Sequence, residues 1–432
     1  MDWQQPFLVA VKQSQQAWDD QPDWRGALLL YDGLTAGQAD ALDRTVIAMI
    51  DEDYRNPFSG KAERPFDDVM VGLPAGLTPD DLLCIEAAVL VAAERRIGPA
   101  LFAFNRLMRA PRWHALYPRL LWLGEAGFDA QRKLADTPAG RGLGGLLGMA
   151  AGDALGVTVE FQSRATIRHS YPDGHRDIKG GGPFGFAPGE WSDDTAMALA
   201  VARGIAEQPR DPVPAVGRHF MAWYGGHPPD VGSTCRLALE AFGRTGSWAE
   251  ASDAVRQQLG NRAGGNGALM RTLPTALAYG NDTAPALAIA RMTHPHPESD
   301  AAVAVYHLAV QRALEGGATR EQVVAAGLRA AGPLTARLAG LQTRTEAEIR
   351  SGGYVVETLE AALWCFLTTD SLEACIIKAV NLGDDTDTTG AVAGGLAGAY
   401  YGPQAVPRRW STAIPERLQL EEAAERLFTV QR

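Results

Sequence analysis

Residues 381–402 read "NLGDDTDTTGAVAGGLAGAYYG", with three aspartates and three threonines packed into Asp384 to Thr389 ahead of a charge-free run rich in Gly and Ala. No charged side chain occurs between Asp387 and Arg408, and Gly394 and Gly398 form a GxxxG pair, so the stretch mimics a membrane span. Its Gly and Ala content, with Pro403 and Pro407 close behind, instead predicts a tightly packed interior helix over 391–401, because a span needs ~20 predominantly apolar residues. The acids would stand at its N-terminus, where free N–H groups and the helix dipole favour negative charge. Capping accounts for one or two of them. Asp384, Asp385 and Asp387 together would repel one another unless a cation intervenes.

A second cluster of the same kind lies in "GEWSDDTAMALA", where Ser192, Asp193, Asp194 and Thr195 begin another helical pattern. Two such N-termini could converge into an all-oxygen cage, which suits hard cations such as Mg²⁺ or Mn²⁺ better than zinc. Spacing alone leaves this reading level with two ordinary capping boxes. In "GMAAGDALGVTVE", Asp153 sits in a Gly-flanked helix end, and Glu160 follows where Val157, Thr158 and Val159 suggest extended chain. "GGNGALMR" places Gly264, Gly265 and Gly267 ahead of a helix, as a backbone approaching a phosphate requires. "MTHPHPESD" offers His294 and His296, each of which could equally be structural.

The remaining pattern is helical. Apolar residues recur at helical spacing in segments starting at Arg141, Asp193, Asn266, Ser299, Thr319, Thr358 and Ser371, and alternating Val/Ile runs are nearly absent. The Pro and Gly of "DTPAGRGLGG", residues 136–145, suggest a linker or tight turn, which divides the chain into residues 1–141 and 142–432. In the first part, Thr78 as N-cap and Pro79 at the first helical position predict a helix running to Gly98. The four cysteines, Cys84, Cys235, Cys365 and Cys375, have no CxxC spacing and read as reduced thiols. The start of the chain lacks the pattern of a secretory signal, so a cytoplasmic location is expected.

Residues 1–94 carry 17 acidic and 6 basic side chains, which accounts for the whole formal net charge of −11. Such a surface disfavours nucleic acid and favours a basic protein partner, or serves only solubility.

The ordered set "GDALG…E", "SDDT", "DVGST", "GNGALMR", "THPH" and "GDDTDTTGAVAGGLAGAYYG" resembles the ADP-ribosylglycohydrolase family from about Gly142 onward. The resemblance implies an all-α, compact orthogonal helical bundle around two divalent cations, Mg²⁺ or Mn²⁺, and release of ADP-ribose from modified protein side chains. It carries metal ligation onto Ser192, Asp193, Asp194, Asp385, Asp387 and Thr388. Asp193, Asp194 and Asp387 would be central to catalysis, with Glu160 positioning substrate or transferring a proton. Asp230, Gly232 and Ser233 would lie near the ribose and phosphates, Gly265, Asn266 and Gly267 would cradle the diphosphate, and His294 would line the pocket; the pattern does not need His296. One branch of the family resembles immunity proteins that reverse ADP-ribosylation and also plug the toxin with an N-terminal extension. The acidic, mainly helical residues 1–141 suit that role against a basic ADP-ribosyltransferase. An accessory domain on a general regulatory hydrolase, and a non-catalytic ADP-ribose binder, are the alternatives.

Overall fold

Glycines spaced four apart determine how the chain packs. On a helix they fall on one face. Gly144, Gly148, Gly152 and Gly156 form one such stripe, and Gly390, Gly394 and Gly398 form another. In the computed structural model the two stripes meet antiparallel. A Cβ at Gly148 would stand 2.3 Å from the Gly394 carbonyl oxygen, and one at Gly152 would stand 2.0 Å from that of Gly390. Only glycine admits backbones this close.

The structure describes residues 137–411 and 413–430, without the side chains of Arg408 and Leu418. The expected helix from Thr78 to Gly98, Cys84 and the acidic residues 1–94 lie outside the described residues. Among those described, all regular structure is helical: α1 Pro138–Gly156, α2 Arg164–Ser170, α3 Asp193–Glu207, α4 Pro212–Gly225, α5 Ser233–Thr245, α6 Trp248–Leu259, α7 Leu273–Tyr279 and α8 Ala284–Arg291, followed by α9 Pro297–Leu314, α10 Arg320–Leu328, α11 Thr335–Leu338, α12 Val355–Leu367, α13 Leu372–Val380, α14 Thr386–Tyr401, α15 Arg408–Ser411 and α16 Arg417–Val430. The all-α class read from the sequence is the one observed.

α14 is the centre of the arrangement. It packs most extensively on α1, and also on α13, α12 and α9. From α9, the Tyr306 hydroxyl donates to Val392 O at 3.0 Å. No helix among the described residues is long and apolar enough to cross a membrane.

Three local expectations are corrected. The Pro/Gly segment at 136–145 is not a linker: Thr137 accepts from Gly140 N, Pro138 occupies the first turn, and α1 runs unbroken through residues 141 and 142. Within it Gly144 serves close packing against α14, and Gly142 makes room for Phe428 of α16. Residues 157–161 form turns rather than extended chain, with Val159 N donating to Gly156 O. α14 begins at Thr386 rather than at 391, so Asp387 lies in its first turn instead of ahead of it. Cys235, Cys365 and Cys375 are free and buried, as expected.

Candidate active site

The α1–α14 contact brings the ends of both helices, and their acids, to one place. A Cβ at Gly156 would lie 2.3 Å from the Asp387 Cα, so the absence of a side chain there fixes how near the α14 N-terminus comes to the end of α1. Beyond Gly156 the two loops pair through the backbone: Phe161 N donates to Asp384 O at 2.7 Å, and Asp384 N donates to Gln162 O at 2.8 Å. Phe161 and Asp384 both take the left-handed conformation, with φ of 61° and 60°. Aspartate tolerates this region better than phenylalanine does, and such strain persists where the surroundings over-determine it. The Asp384 residue is exposed and therefore serves the backbone. The repulsion expected of three neighbouring aspartates falls on Asp385 and Asp387 alone.

α3 supplies the opposing acids. Ser192 caps this helix, its Oγ accepting from Asp194 N at 3.3 Å and donating to Asp194 Oδ2 at 3.0 Å. The Thr388 hydroxyl of α14 donates to the same Oδ2 at 3.3 Å, so the two acidic N-termini do converge. Asp385 makes no capping bond; its Oδ2 accepts from Asn266 Nδ2 at 2.9 Å. Asp193 Oδ2 accepts from Gly232 N at 3.2 Å.

Asp153, which sequence reasoning noted without assigning a role, is fully buried at the centre. Its Oδ1 accepts from Ser192 N, and its Oδ2 accepts from the backbone and hydroxyl of Thr195. It ties the first turn of α3 to α1.

Two groups of three carboxylates have ligand oxygens mutually within 4.8 Å: Asp153, Asp194 and Asp387, and Glu160, Asp230 and Asp387. Asp387 belongs to both. Asp194 Oδ1, Asp387 Oδ1 and Glu160 Oε2 are buried without a hydrogen-bond partner in the structure. Burial, reinforced by the neighbouring acids, raises Asp193, Asp194 and Asp387 well above the ordinary carboxylate range; it also pushes Glu160 to about 9 and Asp230 to about 6. Buried oxygens that lack donors, on groups that resist ionising together, fit divalent cations, which would restore the ionised forms. Asp230, expected beside the ribose, thus shares the carboxylate cluster.

The glycine turn is anchored by tertiary backbone bonds. Asn266 N is taken by Gly353 O at 3.1 Å, and Val355 N donates to Gly264 O at 2.9 Å. A Cβ at Gly267 would meet His294 Cε1 at 2.9 Å and Cys235 Sγ at 3.0 Å. The turn lies directly on the buried His294 ring. Ser233, by contrast, is exposed at the start of α5. His296 caps α9 by accepting from Glu298 N, which is the structural role left open for it.

Arg271, in the same sequence motif, was missed as a functional candidate. Only 1% exposed, it meets no carboxylate in a hydrogen bond; it donates to Thr293 Oγ1 at 2.6 Å and stacks 4.7 Å from the Phe220 ring centroid. Thr293 Oγ1 lies 2.7 Å from His294 Nδ1. With Arg271 donating to Thr293, the hydroxyl hydrogen is free to go to Nδ1, which would put the ring proton on Nε2. Burial holds His294 well below its ordinary pKa, and Arg271 adds to the effect. Nitrogen NMR of the imidazole is therefore expected to show a neutral Nε2–H ring at and above pH 6, with loss of the single tautomer in Thr293→Val. A protonated ring at pH 6 would refute this arrangement.

Residues 134–432 match the ADP-ribosylglycohydrolase family model. The chain is 37% identical to the ADP-ribosyl-[dinitrogen reductase] glycohydrolase of Rhodospirillum rubrum, over 65% of this chain and 92% of that protein. It is 33% identical to ADP-ribosylarginine hydrolase Tri1 of Serratia proteamaculans, over 66% of this chain and 78% of that protein. A solved structure described as an ADP-ribosylglycohydrolase-related protein complex aligns with a TM-score of 0.58 at 36% identity, covering 68% of this chain and 99% of its own. With the family model spanning more than half its length, this chain belongs to the ADP-ribosylglycohydrolase family of hydrolases.

Proposed function

We propose that the protein hydrolyses the bond between ADP-ribose and arginine side chains of modified proteins, using two divalent cations, Mg²⁺ or Mn²⁺. The observation that carries this reading is the pair of carboxylate triads sharing Asp387, with three buried oxygens left unpartnered. Similarity to an ADP-ribosylarginine hydrolase supports the linkage. Such cations supply Lewis acidity and offset the clustered negative charge. Around them Ser192, Asp193, Asp194, Asp385, Asp387 and Thr388 would be the ligands, as the family resemblance implies, and Asp230 adds an acid to the set. Asp153 holds the α3 turn, and Asn266 and Gly232 orient Asp385 and Asp193. Glu160, in the second triad with Asp230 and Asp387, would position the substrate or transfer a proton.

Incubating the protein with arginine-, serine- and aspartate-linked ADP-ribosyl proteins tests the linkage; release from arginine alone is expected. Exhaustive chelation should abolish turnover, and calorimetry should find two Mn²⁺ per chain. Full activity without metal would rule out the metal-dependent mechanism.

For the cellular role, we propose an immunity protein whose acidic residues 1–94 bind a basic ADP-ribosyltransferase. The concentrated charge and the resemblance to the immunity branch of the family support this. A general regulatory hydrolase with no toxin partner is the competing reading. Because α1 starts at Pro138, a truncation for this test should begin at Thr137 rather than at Gly142. Asp193→Asn is expected to bind the transferase in a salt-sensitive manner, and the truncation is not. Equal binding by both would remove the plug role.

A further inference from the structure

Beside the carboxylate cluster lies a cavity of about 210 Å³ that touches Ser192 and Asp193. The loop before α3 contributes Phe186, Glu190 and Trp191, the end of α4 contributes Trp223, and Asp230 and Glu416 close it. Its size is below the roughly 300–1,000 Å³ of sites that enclose whole small-molecule ligands, and suits a single side chain.

The lining is selective in charge. Four acidic residues line the cavity, and among the described residues no lysine, arginine or histidine does. If cations neutralise Asp193 and Asp230, Glu190 and Glu416 still remain. Glu190 spends one oxygen on Ala187 N at 2.7 Å, and Glu416 spends one on Gln419 Nε2 at 2.5 Å, so each keeps a second oxygen for another donor. A diphosphate would be repelled here. A guanidinium is the opposite case: planar, permanently cationic, and matched both to aromatic faces and to carboxylates.

We infer that this cavity is the acceptor subsite, which takes the guanidinium and aliphatic stem of the arginine that carries ADP-ribose. The inference rests on the hydrolase reading above and adds the residues that would select arginine over neutral acceptors. Trp191 and Trp223 provide faces for the planar group, and Glu190 and Glu416 provide its counter-charge. The subsite adjoins Ser192 and Asp193, so an arginine held there keeps its scissile bond beside the carboxylate cluster. A serine or aspartate acceptor has neither the charge nor the reach to use it.

The test uses the full chain loaded with Mn²⁺, an arginine-ADP-ribosylated peptide as substrate, and agmatine as a free guanidinium probe. Glu190→Gln/Glu416→Gln is nearly isosteric and retains an acceptor for Ala187 N. It is expected to raise KM for the peptide about tenfold and weaken competitive inhibition by agmatine to the same degree. Calorimetric affinity for free ADP-ribose should change less than twofold. Trp223→Leu should act in the same direction; if it fails to fold, the double glutamine variant still decides. Unchanged KM and unchanged agmatine inhibition in that variant would overturn the acceptor assignment while leaving the hydrolase reading intact. A wild-type protein that binds ADP-ribose but releases none from arginine would instead overturn the hydrolase reading.

Discussion

Asp387→Asn is expected to lower turnover on an arginine-ADP-ribosylated protein by at least ~10²-fold, since even residues that only support a metal ligand are worth 10–100-fold. Asp387 is the one acid common to both triads, and its Oδ1 is buried without a donor. Replacing the carboxylate with a neutral amide takes one charge from both groups and puts N–H donors where oxygens would face the cations. Asp230→Asn touches one triad at a half-buried position, so its loss should be smaller and its metal stoichiometry should remain nearer two. The measurement is kcat at saturating Mn²⁺ together with the number of ions bound. Near-normal turnover in Asp387→Asn, or a larger loss in Asp230→Asn, would show that the shared position is not the pivot of the site.

The acids were legible in the sequence because carboxylates beside hydroxyls at two helix starts form an unusual local pattern. Their division of labour was not. Asp384 and Asp385 are adjacent and chemically identical, yet a left-handed turn sends one to solvent, whereas Asn266 receives the other. That outcome depends on pairing with Gln162 and Phe161, more than 200 residues away. Asp153 stood out as an acid at a Gly-flanked helix end, but its task of bonding the α3 turn emerges only once α1 and α3 are in contact. Arg271 carried no visible signal: an arginine after an apolar run reads as a surface residue, and its burial against Phe220 and Thr293 is a tertiary result.

For the fold, long apolar periodicity was sufficient for α1, α3, α9, α12 and α13. The pattern failed where glycine has two meanings. In residues 136–145 the Pro and Gly look like a break, although Pro is compatible with a first turn and the glycines are there for a neighbouring helix. Likewise "NGALMRTLPTALAYG" reads as one helix, but Asn266–Ala268 is a single 3₁₀ turn and α7 starts only at Leu273. The tertiary bond from Asn266 N to Gly353 O takes precedence over local propensity there.

The α1–α14 contact should be the least tolerant part of the molecule. Gly152→Val places a Cβ 2.0 Å from the Gly390 carbonyl oxygen and 2.3 Å from its carbon, and both atoms belong to a helix that has no flexible end to move aside. The helices must separate along their length, which strips contacts from Gly148–Gly394 and Gly144–Gly398 as well. Losses on the order of 4 kcal/mol or more are reserved for such mechanisms, against a total stability of about 5–15 kcal/mol. Insoluble expression, or a melting temperature lowered by about 10 °C, is therefore expected. Gly145→Ala is the control on the same helix, because its Cβ would meet nothing closer than 3.3 Å and should cost about 1 kcal/mol or less. Gly156→Ala should separate stability from function: its Cβ presses on the Asp387 backbone at 2.3 Å, so metal binding and turnover should fall further than the melting temperature does. If Gly152→Val melted like the wild type, the close approach of the two glycine stripes would not be what holds α14 in place.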